Sequence, residues 1–526
     1  MIGLRLKLDE EDWDYREPLE TSGFLIYYSR VMNKTFYVTT SIPYVNGAPH
    51  LGNVLDPVYA DVLARYHRQK GEEVRFLTGT DEHGTKIQRS AEVAGLTPKD
   101  FVDQNSAKFR ELKEVLNLSW DDFIRTTDRE RHWPGAQKLW QSLEKSGDLY
   151  KKTYQGLYCV GHEAFITEKD LVDGICQDHQ TKPEVIAEEN WFFKLSEYGK
   201  EIESKIKNKE LRIVPESRGH EILSLLKEGL QDISVSRPSK GLPWGIPVPG
   251  DSTQTMYVWA EALVNYISAL GYGSADESKF QKYWLNGDEI VQVIGKDNLR
   301  FHAAIWPGML LASGLWPKSG ITVFVHGFLT VDGKKISKTV GNVIDPKALV
   351  EKYGVDAVRY YLLKEISPFE DGDFSYEKFE QVYNSDLANG LGNFAARVLT
   401  LGEKVGEIII AKDSQAKVVL LKIEATRLFA EKMLSEFRFH EAIGAKAIGG
   451  LVSYGDTYVN AEKPWETGKE KVIANAVAIL GRVADLLEAF LPETAKKIAK
   501  CIEVIGHNTL KVKKCPPLFP RIEPHV

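Results

Sequence analysis

Cysteine is scarce: the 526-residue chain holds four in all. So few thiols exclude a disulfide framework and point to a reducing cytoplasm. No apolar run approaches the length of about 20 residues that a bilayer-spanning helix needs. Even the uncharged stretch from Ala303 to Trp316 is short and is broken by Pro307 and Gly308. An excess of basic residues is also missing. The net charge of −7 excludes a uniformly basic coat for nucleic acid, while leaving room for a local positive path. There is no internal repeat and no low-complexity tract. Residues 1–31 lack a long apolar core and carry seven acidic residues against four Arg or Lys, which fits neither a signal peptide nor a mitochondrial transit peptide. Met32 directly precedes the first regular element. Two readings of 1–31 therefore stand, an over-long start or a genuine, disordered N-terminal extension.

What is present reads as an ordinary globular protein, 43% hydrophobic and 27% charged, with ample core. Its length suggests roughly three or four domains. Strand–helix alternation from about 34 to 148 predicts the first half of a parallel nucleotide-binding sheet. Short aromatic and Cys/His segments break that rhythm over 149–240, as an inserted module would. The sheet is expected to resume with Thr255–Tyr266 and Glu289–Gly295, and Ile321–Gly327 is a further extended run leading into a Lys-rich loop. After about 376 the pattern is helical almost throughout, as in a bundle. Pro57, inside the first helix, is expected to cost that helix a backbone hydrogen bond.

Two short segments carry the chemistry. His50-Leu51-Gly52-Asn53 follows the β-branched and aromatic run Lys34–Thr40 and precedes Leu51, Val54, Leu55, Val58, Tyr59, Val62, Leu63 and Tyr66, one face of an amphipathic helix. A turn between strand and helix N-terminus is a natural phosphate site, because free N–H groups and the helix dipole favour an anion there. Gly52 allows a nucleotide to approach the backbone. Far downstream, Lys335-Ile336-Ser337-Lys338-Thr339 brings ammonium charge on a loop that Gly333 can bend. Taken singly, each is more readily a buried helix His or a solvated Lys run. Their ordered pairing reverses that judgement.

Together these segments resemble the HIGH and KMSKS motifs of the class I aminoacyl-tRNA synthetases, and within them the chain resembles the methionyl-tRNA synthetase family. Further matching stretches are Ser41–Tyr44, Thr80–Gly84, Tyr257–Trp259, Gly295–Asp297 through Phe301-His302, and Asn389–Arg397, so the likeness runs from about Met32 to beyond Trp465. There are departures. Asn53 stands for the last His of HIGH, Ile336 and Thr339 for Met and the final Ser of KMSKS, and Leu263 for the Pro of some relatives.

The resemblance implies activation of L-methionine by ATP, with Mg2+ assisting, to methionyl-adenylate and pyrophosphate, followed by transfer to the 3′-terminal adenosine of tRNA(Met). It implies catalytic roles for His50, Asn53, Lys335 and Lys338, and an ATP site that adds Gly52, Asp297 and Ser337. The methionine site would comprise Asp81 for the ammonium group, with Ile42, Tyr44, Trp259, Ala262, Tyr266, Phe301, His302 and Trp306 around the side chain. An aromatic cage suits an unbranched thioether. Asn389, Asn393 and Arg397, recurring every fourth residue, and Trp465 would read the CAU anticodon. Each of these residues also has a plain structural reading as cap, core or helix face.

Cys159-x2-His162 and Cys176-x2-His179 can close a tetrahedral zinc site, although the family's single-knuckle members usually have Cys at the position of His162. A knuckle without metal is the alternative. The implied organisation is a Rossmann-type α/β catalytic domain (32–148 and 241–318) interrupted by a connective module (149–240). A KMSKS-loop and stem-contact region (319–375) and a helical-bundle anticodon-binding domain (376–526) would follow. A cytoplasmic monomer is expected. Two competing readings are a synthetase for Leu, Ile, Val or Cys, and a silent paralogue that only binds tRNA. The short insert and the absence of a thiolate trio in the cleft oppose the first. Intact His50, Asp81, Lys335, Ser337 and Lys338 oppose the second.

Overall fold

The computed structural model describes residues 34–523 apart from 160–163, 167, 169–170, 177–180, 337–340, 411–412 and 507. The extension 1–31, His162, His179 and the trio Ser337, Lys338 and Thr339 therefore lie outside the described residues.

Six parallel strands form the central sheet: β1 (Thr35–Thr40), β2 (Glu73–Thr80), β3 (Asp122–Arg125), β4 (Leu211–Val214), β5 (Glu289–Gly295) and β6 (Ile321–His326). Their spatial order is β3-β2-β1-β5-β6-β4. Every residue of β1 is buried, as expected of a strand flanked on both edges and covered on both faces. From β1 the chain first winds outward to β3, and later returns to add β5 on the other side. The order thus reverses between β1 and β5, and the crevice beyond the carboxyl ends of these two strands is where such sheets bind ligands.

The first helix enters through a 3-10 turn, Leu51–Val54, before α1 (Leu55–Gln69) begins. Pro57 therefore falls in the first turn of α1, where an N–H has no intrahelical partner, and the expected loss of a hydrogen bond does not arise. A second expectation is also corrected. Thr255–Tyr266 does not rejoin the central sheet: Asp251–Met256 is the middle strand of a separate three-stranded sheet, and Val258–Ala262 and Asn265–Ser268 are short helices. The β-branched and aromatic composition that suggested a strand instead serves burial of the helical turns. Conversely β4, inside 149–240, pairs with β6 in the central sheet. The remaining insert combines antiparallel strands, with Leu149–Cys159 paired to Glu184–Phe193, and two helices, Gly199–Lys207 and Glu216–Glu228.

Helices dominate beyond residue 376, as expected, but a small sheet of Glu407–Ile409, Ile502–Gly506 and Thr509–Val512 caps them. Residues of α1 and the central sheet share one apolar core with the helical region beyond 376. A buried ionic staple sits within it. Arg359, on α2 (Val355–Lys364), is fully buried and reaches Asp61 of α1 at 2.8 Å. Its other donors go to the carbonyls of Leu116, Ala489 and Phe490. Satisfying a buried guanidinium from three separate segments fixes their relative placement, because any one lost partner would leave desolvated charge. No helix among the described residues is long and apolar enough to cross a membrane.

Candidate functional site

An open cavity of about 370 Å³ lies beyond the carboxyl ends of β1, β5 and β6. One wall is the turn His50–Asn53. His50 caps it: the Gly52 N–H donates to His50 Nδ1 at 3.1 Å, and the His50 N–H donates to Asn53 Oδ1 at 3.0 Å. This reciprocal capping box explains how Asn replaces His at position 53. The amide oxygen closes the box, and the remaining Nδ2 of Asn53 is the group able to donate to an anion. Gly52 leaves little room for a side chain, since a Cβ would lie 3.0 Å from His50 Cε1 and 3.3 Å from Ile336 Cδ1.

The opposite wall is the hairpin that leads into the Lys-rich loop. Asp332 and Gly333 adopt φ of 51° and 69° at its tip, and Thr330 pairs with Lys335. Gly333 thus supplies the bend expected of it. Lys335 is exposed and lines the cavity mouth, as does Asp297. Asp297 reaches solvent through the mouth, yet protein surrounds its carboxyl. Desolvation, with the charge of Asp56 adding to it, holds Asp297 above the usual carboxylate range.

A narrow second cavity of about 20 Å³ opens off the first and shares Ile42 and Trp259 with it. Asp81, Ala262, Tyr266, Phe301 and His302 line it. Asp81 directly follows β2 and is held by backbone pairing with Tyr44, while Tyr44 Oη donates to the His83 carbonyl at 2.7 Å. Trp259 stacks between Phe301, at 4.8 Å between ring centres, and Tyr44, at 6.4 Å. A space of this size holds about one water, so an amino-acid side chain would have to displace Trp259 or Phe301. His302 donates from Nδ1 to the Asn298 carbonyl at 2.9 Å and accepts from Tyr266 Oη at 2.6 Å. Burial pushes its pKa down to about 4, so the pocket is walled by a neutral imidazole. Trp306 stands one layer deeper than expected, buried and tilted against Tyr266 at 6.2 Å. Behind the pocket, Glu261 fixes the Val258–Ala262 helix by accepting from His83 Nδ1 and His132 Nε2, both at 2.7 Å.

Three residues of this site were not singled out from the sequence: Ser41, Asp56 and His326. Ser41 follows β1, Asp56 lies in the first turn of α1 and His326 ends β6. Their position at carboxyl ends of strands and at a helix start was the available signal.

The other candidates lie elsewhere. Cys159 and Cys176 are both buried and neither is in a disulfide. Asn389 lies in a π-helical run, Tyr383–Gly392, that continues directly into α3 (Asn393–Val405). The wider π turn means that a spacing of four does not hold Asn389 strictly on the α-helical face of Asn393 and Arg397. Arg397 is tied to Asp456 at 2.5 Å and Asn460 at 2.7 Å, both on α4 (Ile448–Glu462). Trp465 follows α4 and is 57% exposed, uncommon for so large an aromatic.

The family model for class I tRNA synthetases (M) matches residues 36–180 and 166–399. The methionine–tRNA ligase of Caldanaerobacter subterraneus subsp. tengcongensis is 40% identical over 518 residues, covering 94% of this chain and 80% of that protein. That of Brucella suis is 40% identical over 484 residues, covering 89% and 92%. Among solved structures, Mycobacterium tuberculosis methionyl-tRNA synthetase in complex with methionyl-adenylate superimposes with a TM-score of 0.86 at 34% identity, covering 93% of this chain and all of that one. Its apo form gives 0.79 at 32% identity, covering 94% and 99%. Identity of this order along nearly the whole chain, with the same architecture, places the protein in the methionine–tRNA ligase family of class I aminoacyl-tRNA synthetases.

Proposed function

We propose that the chain activates L-methionine with ATP and transfers it to the 3′-terminal adenosine of tRNA(Met). The observation that carries this reading is convergence. A phosphate-binding turn, an aspartate and an aromatic pocket, distant in sequence, meet around two adjoining cavities at the switch point of the sheet.

In the first step a carboxylate oxygen of methionine attacks the α-phosphorus of ATP, and the bond to pyrophosphate breaks. No side-chain nucleophile is needed. Catalysis rests on alignment and on charge neutralisation as the phosphates separate. Asp81 would hold the ammonium group, with the side chain entering between Trp259, Tyr266 and Phe301 beside Ile42, Tyr44 and Ala262. A neutral His302 suits an uncharged thioether. His50 and Asn53 Nδ2 would bind phosphate oxygens from one wall, close against the Gly52 backbone, with Lys335, Ser337 and Lys338 opposite. Asp297 would serve the adenosine end. ATP would arrive with Mg2+ on its phosphates.

For tRNA, an exposed Trp465 offers a stacking face to an anticodon base. Asn389 and Asn393 are exposed amides able to read base edges, and Arg397, anchored to α4, would orient them. Cys159 and Cys176, as buried thiols outside disulfides, fit the thiolate half of a structural zinc site. With His162 and His179 they would hold one zinc per chain that braces the insert and takes no part in the reaction. Catalytic halves at 32–148 and 241–318, the insert at 149–240, the loop region at 319–375, the anticodon-binding domain at 376–526, a monomer and a cytoplasmic location complete the reading.

The test is methionine-dependent ATP–pyrophosphate exchange, compared across all proteinogenic amino acids. Exchange with methionine alone is expected. Exchange with Leu, Ile, Val or Cys instead would overturn the specificity, and an inert protein that still binds tRNA would identify a silent paralogue.

A further inference from the structure

Two charged side chains at the mouth of the large cavity have no part in the mechanism above. Asp56 and His326 lie far apart in sequence and on different elements, yet His326 Nε2 donates to Asp56 Oδ1 at 2.6 Å. His326 Nδ1 donates to the Gly327 carbonyl at 2.8 Å. Ser41 Oγ donates to the other oxygen of Asp56. Both ring nitrogens face acceptors, an arrangement that suits the protonated imidazolium, although the side chain is only 4% exposed. The pair spans the sheet from the start of α1, beside β1, across β5 to the end of β6. Each partner is close in sequence to one wall of the phosphate site: Asp56 follows the His50–Asn53 turn, and His326 precedes the hairpin that bears Lys335. Two lighter contacts run in parallel. The Leu51 N–H donates to the Ile344 carbonyl at 3.0 Å, and Gly52 faces Ile336.

We infer that Asp56 and His326 are a positioning pair, which locks the His50–Asn53 turn to the Lys335 hairpin and neutralises a carboxylate that would otherwise repel the ATP phosphates. The inference rests on the proposed activation reaction. Its physical core is electrostatic. ATP is a polyanion, and Asp56 and Asp297 both line the cavity it would enter. A bare Asp56 would add like charge, whereas Asp56 paired with an imidazolium is neutral overall. Both ring nitrogens of His326 are already committed, so it acts through Asp56 and the backbone and need not touch phosphate.

The charged groups facing His326 are Asp56 from α1 and Asp297 from the segment after β5; the aromatic neighbours Tyr59 and Phe324 add none. Burial lowers the His326 pKa, but the charge and hydrogen bond of Asp56 outweigh it and leave the pKa raised. The sign follows. The ion pair is complete below the ordinary histidine value and is lost as pH rises through the elevated one, so an alkaline decline in the use of ATP should result.

The experiment measures pyrophosphate exchange against ATP and methionine in the parent, His326→Gln, Asp56→Asn and the double variant, with melting curves for all four. In His326→Gln the carboxylate is left uncompensated, so kcat/KM for ATP should fall by about 10- to 100-fold with KM for methionine little changed. The double variant, neutral at both positions, should recover most of that loss and should show no alkaline decline attributable to the pair. A folded His326→Gln variant with parental kcat/KM for ATP would overturn the inference. So would a double variant as impaired as His326→Gln, because the role would then be structural alone. A parent inert in methionine-dependent exchange would instead overturn the activity on which the pair depends, and the pair's role with it.

Discussion

Gly52 and Ile336 meet across the cavity mouth, with the position of a Gly52 Cβ only 3.3 Å from Ile336 Cδ1. The His50–Asn53 turn and the Lys-rich hairpin are therefore in direct contact, and the spacing of their donors is set by packing. Gly52→Ala must push aside either the His50 ring or Ile336 by a few tenths of an ångström. Exchange should fall by about 10- to 100-fold, because small misplacements of charge-stabilising groups are costly. Methionine affinity, measured by equilibrium binding, should stay near the parental value.

Asp81 is buried in the wall of the narrow cavity, where a carboxylate can meet an ammonium group. Asp81→Asn keeps the shape and removes the charge. A charge-assisted hydrogen bond contributes about 1.5–3 kcal/mol, so KM for methionine should rise by roughly 10- to 150-fold. KM for ATP should move little. Steady-state exchange with each substrate varied in turn separates the two.

His302 supplies a pH dependence of stability. Its pKa in the folded protein is about 4, against an ordinary value of 6.5. The unfolded chain therefore binds the extra proton first. The stabilisation is complete above pH 6.5 and is lost as pH falls toward 4. Denaturant midpoints measured through this interval should decline less steeply in His302→Gln, which has no such proton to bind.

Trp465 stands on the helical region, away from both cavities. Trp465→Ala should leave methionine-dependent exchange near normal and lower the charging of tRNA, since losing one stacked base costs about 1–3 kcal/mol. Altering the CAU anticodon should abolish most charging by the parent and make a smaller difference to the variant. Equal charging of both tRNAs by the parent would remove the helical region from anticodon reading.

Elemental analysis of purified protein should give about one zinc per chain if Cys159, His162, Cys176 and His179 act together. Metal-free protein with a well-ordered insert would mean that the knuckle is vestigial.

Much of this was legible in one dimension. Strand–turn–helix alternation, the His50–Asn53 turn, the Gly333 bend and the helical nature of the chain beyond 376 follow from local rules. Hydrophobic period, turn chemistry and capping act over a few residues and so are written in order along the chain. The family resemblance then pointed to Asp81 and Asp297, which lie just past β2 and β5 and line the two cavities.

Other features depended on which distant segments come to lie together. Thr255–Tyr266 has strand-like composition, but tertiary burial turned its second half into helix around Glu261, held between His83 and His132. Trp306 is buried against Tyr266 rather than on the narrow cavity's surface, and depth from a cavity is a property of the fold. Arg359 could be read only as a helix residue until Asp61, Leu116, Ala489 and Phe490 surrounded it. Asp56 and His326 are the clearest instance. Sequence supplied an acid in a helix's first turn and a histidine at a strand's end. Only the parallel order of β1, β5 and β6 brought them within hydrogen-bonding distance, where burial and mutual charge turn two ordinary side chains into one neutral pair.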